Sequence, residues 1–143
     1  MEKNKKLFLI DGMAIIYRAH FAMIKNPLIT RDGRHTSAIF GFLNSMFKII
    51  NDEKPDYLAI ILDSKAKTFR HDLFTEYKAN RQKMPNELVE QLSPLYGIIN
   101  QMNIPLISLE GYEADDLIGT IAKKAEVGNF ETYIVTGDKD MMQ

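Results

Sequence analysis

The sequence contains no cysteine, which excludes a disulfide framework and any thiolate metal site. Histidine is scarce too, with three in 143 residues. A metal ion bound here would rest mainly on oxygen ligands, which favours Mg²⁺ or Mn²⁺ over zinc. There is no membrane-length apolar run at the start of the chain. Leu7-Phe8-Leu9-Ile10 follows the basic stretch Met1 to Lys6, but it ends at Asp11, too early for a signal-peptide core or a span. A cytoplasmic location with no membrane partner is therefore expected. Charge of one sign is lacking as well. The formal net charge is −1, so no overall basic field advertises nucleic acid. Internal repeats and low-complexity segments are absent.

What is present fits a folded domain. The apolar fraction is 45% and the charged fraction 26%, and 143 residues suffice for one domain with an ordinary core. The charges are segregated. Lys65 to Lys83 holds six Lys or Arg against two acids, while Glu110 to Asp140 holds eight acids against three Lys.

Strand and helix patterns alternate along the chain. Leu7 to Ile10 reads as a buried strand, and Met13 to Met23 as a helix that Asn26-Pro27 breaks. Thr30 to Arg34 reads as a turn or mobile loop. A second helix is predicted over Ser37 to Asn51, and a second strand over Tyr57 to Leu62. Within Lys65 to Lys83, Phe69, Leu73, Phe74 and Tyr77 form a weak helical stripe. Leu88, Leu92, Leu95, Tyr96, Ile99 and Met102 mark another helix, with a bend or break expected at Pro94. Ile104 to Leu109 reads as the third strand. Ala114, Leu117, Ile118, Ile121, Ala122 and Ala125 carry a helical apolar face, and Tyr133-Ile134-Val135 reads as the fourth strand. This alternation predicts an α/β fold with a mainly parallel sheet and flanking helices.

The stretch from Glu110 to Asp116 places four carboxylates within seven positions, where the third strand gives way to a helix. Glu113, Asp115 and Asp116 are predicted in the first helical turn. Acids there oppose the helix dipole for about 0.3–1 kcal/mol each. Four crowded acids also repel one another, and a divalent cation would relieve that repulsion. The other strand ends separate the two accounts. Acids follow all four strands, at Asp11, Asp63, Glu110, and Asp138 with Asp140. In an open parallel sheet, ligands bind beyond the carboxyl ends of the strands. Convergence of these acids on one edge favours a metal site over capping and turn chemistry.

Clustered carboxylates suit hard divalent cations. Two such ions about 3.5–4 Å apart can clamp the attacking and leaving oxygens of a phosphoryl displacement. The basic segment after Asp63 would meet a polyanionic substrate, with Phe69, Phe74 and Tyr77 able to stack on unpaired bases. Without the acids, the same segment would read as a solvated helix face.

These residues also carry a resemblance. Phe8-Leu9-Ile10-Asp11-Gly12, Asp63, Phe69-Arg70, Tyr77-Lys78-Ala79-Asn80-Arg81 and Met84-Pro85 occur in order. Gly111-Tyr112-Glu113-Ala114-Asp115-Asp116 and Thr136-Gly137-Asp138-Lys139-Asp140-Met141 follow. Together they resemble the 5′-nuclease domain of bacterial DNA polymerase I, in the flap endonuclease superfamily, over essentially the whole chain. The resemblance implies a PIN-like or resolvase-like nuclease core that removes 5′ flaps and RNA primers with two Mg²⁺ or Mn²⁺ ions. Its implied substrates are DNA with a 5′ flap or nick and RNA primer–DNA hybrids. Asp11, Asp63, Glu113, Asp115, Asp116, Asp138 and Asp140 match its metal-site acids. Arg70, Lys78 and Arg81 match basic residues of its helical arch, placed here at about 65–85, while Arg18 and Tyr77 fall near the scissile phosphate. Glu110 matches no ligand of the family. The resemblance further implies a C-terminally truncated domain, with a further acidic pair, a helix-hairpin-helix element and any polymerase domain outside the sequence.

Three rival readings remain in view. A haloacid-dehalogenase-type phosphatase needs a second Asp two positions after its nucleophile, but Asp11 is followed by Gly12 and Met13. A PIN-type ribonuclease does not usually carry the long basic insertion. The third is a catalytically incomplete DNA- or metal-binding fragment.

Overall fold

The computed structural model describes residues 4–64, 84–136 and 140–142. Strand β1 (Lys6–Asp11) leads directly into helix α1 (Gly12–Ala22), and α2 (Ser37–Glu53) follows. Then come β2 (Tyr57–Ile61), α3 (Asn86–Gln101), β3 (Leu106–Ile107), α4 (Ala114–Val127), β4 (Glu131–Val135) and β5 (Asp140–Met142). The sheet order is β3-β2-β1-β4-β5. The first four strands are parallel, as the alternation predicts, and β5 is antiparallel to β4.

β1 is central and buried on both faces. Phe8 and Ile10 face one core with Ile15 and Ile16 of α1, Phe42 of α2 and Leu95 of α3. Leu9 faces the other, with Ala59 and Ile61 of β2 and Ala114, Leu117 and Ile118 of α4. The period of two along a strand produces this division. The helices change face because the strand order reverses. The chain steps outward through β2 and β3, then returns across β1 to β4. Right-handed crossovers require α4 to lie opposite α1, α2 and α3.

Two close approaches fix how α1 sits. A Cβ on Gly12 would stand 2.7 Å from Leu62 Cδ2 and 3.2 Å from the Ile61 carbonyl. Only glycine lets α1 start this close to the end of β2. A Cβ on Gly41 would stand 2.5 Å from Ala19 Cβ, so α1 and α2 cross nearly backbone to backbone. The turn between these helices is closed by an Ile29–His35 bridge, with Gly33 at φ +90°.

Three expectations change. α3 is continuous through Pro94. An interior proline costs about 3 kcal/mol. Burial of Leu88, Gln91, Leu95 and Ile99 on both sides of the proline outweighs that cost. The third strand is two residues long rather than running from Ile104 to Leu109. Among the described residues it lies at the sheet edge and pairs only with β2. The end of the acidic motif forms β5, at Asp140–Met142. The weak helical stripe of Lys65 to Lys83 lies outside the described residues, as do Arg70, Tyr77, Lys78, Arg81 and Asp138. Among the described residues, no helix is long and apolar enough to cross a membrane.

Candidate metal centre

Parallel strands put their carboxyl ends on one edge, and the acids gather there. Asp11 closes β1 and is the N-cap of α1, where its Oδ1 accepts from the Ala14 N–H at 3.4 Å. Asp63 lies two residues beyond β2. Its Oδ1 accepts from the Ala114 N–H at 2.8 Å, so it sits on the N-terminal end of α4. The neighbouring Ser64 N–H donates to the Tyr112 carbonyl at 3.3 Å. These two bonds tie the end of β2 to the turn before α4. Glu113 is the N-cap of α4 rather than a first-turn residue, and it is buried at 5% exposure.

Asp11, Asp63, Glu113 and Asp115 line one cavity of about 1810 Å³, together with Glu110. Asp116 does not line it. Its carboxylate accepts from the Glu113 N–H at 3.4 Å, in a reciprocal capping box. Capping and clustering therefore coexist. The crowding leaves an electrostatic mark on Asp11. Burial raises its pKa above the ordinary value, and the charges of Asp115 and Asp63 raise it further. The Ala14 hydrogen bond opposes these effects without cancelling them.

The donor set fits a hard divalent cation: carboxylate oxygens, no thiolate, and negative charge in excess. Asp11, Asp63, Glu113 and Asp115 are the described residues that would hold it. Among the described residues, no three His, Asp or Glu side chains stand close enough together to hold a metal ion. Asp140 begins β5, opposite Val135 on β4. Arg18 is exposed on α1 and does not line the cavity.

The cavity also includes residues that sequence reading did not select. Tyr17 and Phe21 of α1 lie on it, with parallel rings 6.2 Å apart. Ser93, Tyr96 and Asn100 of α3 lie on it as well. A visible signal existed: Ser93 and Asn100 flank Tyr96, a member of the apolar stripe, at spacings of three and four on one helical face.

An α/β core with acids gathered at the carboxyl edge of a parallel sheet defines a resolvase-like, acid-site class of domain. This chain belongs to the family described as "5′-3′ exonuclease, N-terminal resolvase-like domain", whose model matches residues 6–143. It is 45% identical to DNA polymerase I of Bacillus subtilis (strain 168) over 144 aligned positions, covering 100% of this chain and 16% of that protein. DNA polymerase I of Bacillus caldotenax is likewise 45% identical, over 98% of this chain and 16% of its own length. The chain thus spans about one-sixth of these relatives. Among solved structures, T5 5′-exonuclease with bound zinc ions matches with a TM-score of 0.72 and 18% identity. That match covers 94% of this chain and 49% of the phage protein. A T5 D15 flap endonuclease complex with DNA and metal ions matches with a TM-score of 0.69. These two likenesses establish the fold.

Proposed function

We propose that this chain forms the N-terminal part of a structure-specific 5′-nuclease domain that hydrolyses phosphodiester bonds of DNA. The observation that carries the reading is the convergence of Asp11, Asp63, Glu113 and Asp115 on one cavity from the turns after three parallel strands. Family membership supports the reaction class, and the T5 structures, solved with metal ions and DNA, support the ligand classes. Removal of 5′ flaps and RNA primers, and a cytoplasmic location, belong to the same reading.

Two Mg²⁺ or Mn²⁺ ions, when bound, supply an activated water and a counter-charge for the departing oxygen. The residues of the chain hold the geometry. The Ala14 and Ala114 N–H groups fix Asp11 and Asp63 on helix N-termini, which orients both carboxylates before any ligand arrives. Glu113 is buried at the N-cap of α4, which limits its side-chain freedom. Asp115 is exposed on the rim, where it can meet an incoming ion. Asp116, Asp138 and Asp140 complete the proposed acid set. Arg18, Arg70, Lys78 and Arg81 contact phosphates, and Tyr77 stacks near the cut, in the arch-like segment at about 65–85.

The test is cleavage of a 5′-labelled flap oligonucleotide with Mg²⁺, with Mn²⁺ and with EDTA, alongside Asp115→Asn. Metal-dependent cuts near the flap junction, lost in the variant, are expected. A second reading is favoured by the open arrangement of the described acids: a fragment that binds DNA or metal without cutting. Binding by a folded chain with no cleavage in any metal supports that reading. Lys78→Ala is expected to weaken binding and reduce its salt slope by about one unit.

A further inference from the structure

The cavity has two chemically different walls. One carries the acids. The other is α3, whose lining residues include Ser93, Tyr96, Gly97 and Asn100. Their spacing places them on one helix face, and none of them is charged. The opposite side of α3 is buried through Leu88, Gln91, Leu95 and Ile99. Apart from its chain neighbours and the backbone of its own helix, nothing lies within 4 Å of where a Gly97 Cβ would stand, so no other element packs on α3 at that point.

Tyr96 joins the two walls. Its ring packs against the larger core, and its hydroxyl reaches Met13 Sδ at 3.7 Å. A thioether is a weak acceptor, so this contact leaves the hydroxyl able to serve a stronger one. Met13 lies two residues beyond Asp11. Burial, and then the charge of Asp63, raises the pKa of the phenol above its ordinary value.

A neutral donor suits this place. An Arg or Lys facing Asp63 would pair with it and compete with a metal ion for the same oxygens. A phenol can bind a phosphate oxygen without that competition. We propose that the Ser93–Tyr96–Asn100 face of α3 is a substrate-positioning wall, with the Tyr96 hydroxyl donating to a non-bridging oxygen of the phosphodiester next to the one cut. This rests on the nuclease reading above. It extends that reading to residues outside the acids and the basic segment.

Tyr96→Phe keeps the ring and removes the hydroxyl. With flap DNA and Mg²⁺, kcat/KM is expected to fall about tenfold, the scale of one hydrogen bond to a charged group. The thermal midpoint and the salt slope of binding stay unchanged, because neither packing nor charge is altered. Asn100→Ala moves kcat/KM in the same direction. Replacing the neighbouring phosphate by a neutral methylphosphonate lowers the wild-type rate by a similar factor and adds little to Tyr96→Phe. If the wild type binds without cutting, the same double comparison is read as Kd with Ca²⁺. Wild-type behaviour of Tyr96→Phe overturns the wall and leaves the nuclease reading standing. Independent, additive losses also overturn it. A wild-type chain that neither cuts nor binds flap DNA overturns both.

Discussion

Gln91 Oε1, on α3, accepts a hydrogen bond from the Ala38 N–H of α2 at 2.9 Å, across 53 positions of sequence. The same oxygen accepts from the Ile39 N–H at 3.2 Å, and the Gln91 amide donates to the Glu87 carbonyl at 2.8 Å. Thr36, the N-cap of α2, makes no capping bond with its side chain. A buried glutamine from a neighbouring helix therefore does that work, and it anchors α3, which forms one wall of the cavity. Gln91→Ala leaves two N–H groups without this acceptor. A loss of about 2–3 kcal/mol is expected in urea unfolding. A change within 0.5 kcal/mol would show that the two helices dock without it.

Gly12→Ala tests the placement of Asp11. The added methyl meets Leu62 Cδ2 at 2.7 Å, so Leu62 or the start of α1 must move. A cost of about 1–3 kcal/mol is expected, as for other overpacked sites. A smaller Mg²⁺-induced rise in melting temperature should accompany it. Destabilisation with an undiminished Mg²⁺ response would separate packing from site geometry.

Asp11 carries a pH signature in the metal-free chain. Its folded-state pKa lies above the ordinary carboxylate value, first through burial and then through Asp115 and Asp63. A carboxyl shifted upward favours folding while protonated. Its contribution is full below the unfolded-state pKa and is lost as pH rises through the folded-state value. Asp11→Asn keeps an N-cap for α1 and removes the charge. In EDTA at neutral pH the variant is expected to melt higher than the wild type. With Mg²⁺ the order should reverse, because the variant gains less from the ion. Equal melting of the two chains in EDTA would deny the repulsion.

Pro94→Ala should stabilise α3. Pro94 is exposed, and an alanine there would supply the missing backbone donor inside a continuous helix. The helix term of about 3 kcal/mol is partly offset, since proline also restricts the unfolded chain. A net gain of about 1–2 kcal/mol is expected by chemical denaturation. A loss would mean that the proline ring makes packing contacts worth more than the backbone bond.

Periodicity and punctuation made most of the elements legible from sequence. The apolar run ending at Asp11, the helical pattern from Ser37 to Asn51 and the run from Tyr57 to Leu62 each carry their own structure, because side-chain spacing reports which face is buried. The acids at strand ends were legible for the same reason: a parallel sheet sends every strand end to one edge. Such local signals do not reach across the chain. Asp116 and Asp115 are adjacent and chemically alike, yet one bonds to the Glu113 N–H and the other lines the cavity. Helix geometry around the capping box makes that choice.

By itself, the sequence determined the α/β alternation, the carboxylate donor set and the exclusion of thiolate chemistry, since composition and spacing are properties of the chain. Only the tertiary structure decided which acids line one cavity, that α3 is continuous past Pro94, that Gln91 caps α2, and that Ser93, Tyr96 and Asn100 share that cavity with the acids. Each depends on contacts between residues far apart in sequence. Their free energies come from burial and from hydrogen bonds that exist only once the layers have packed.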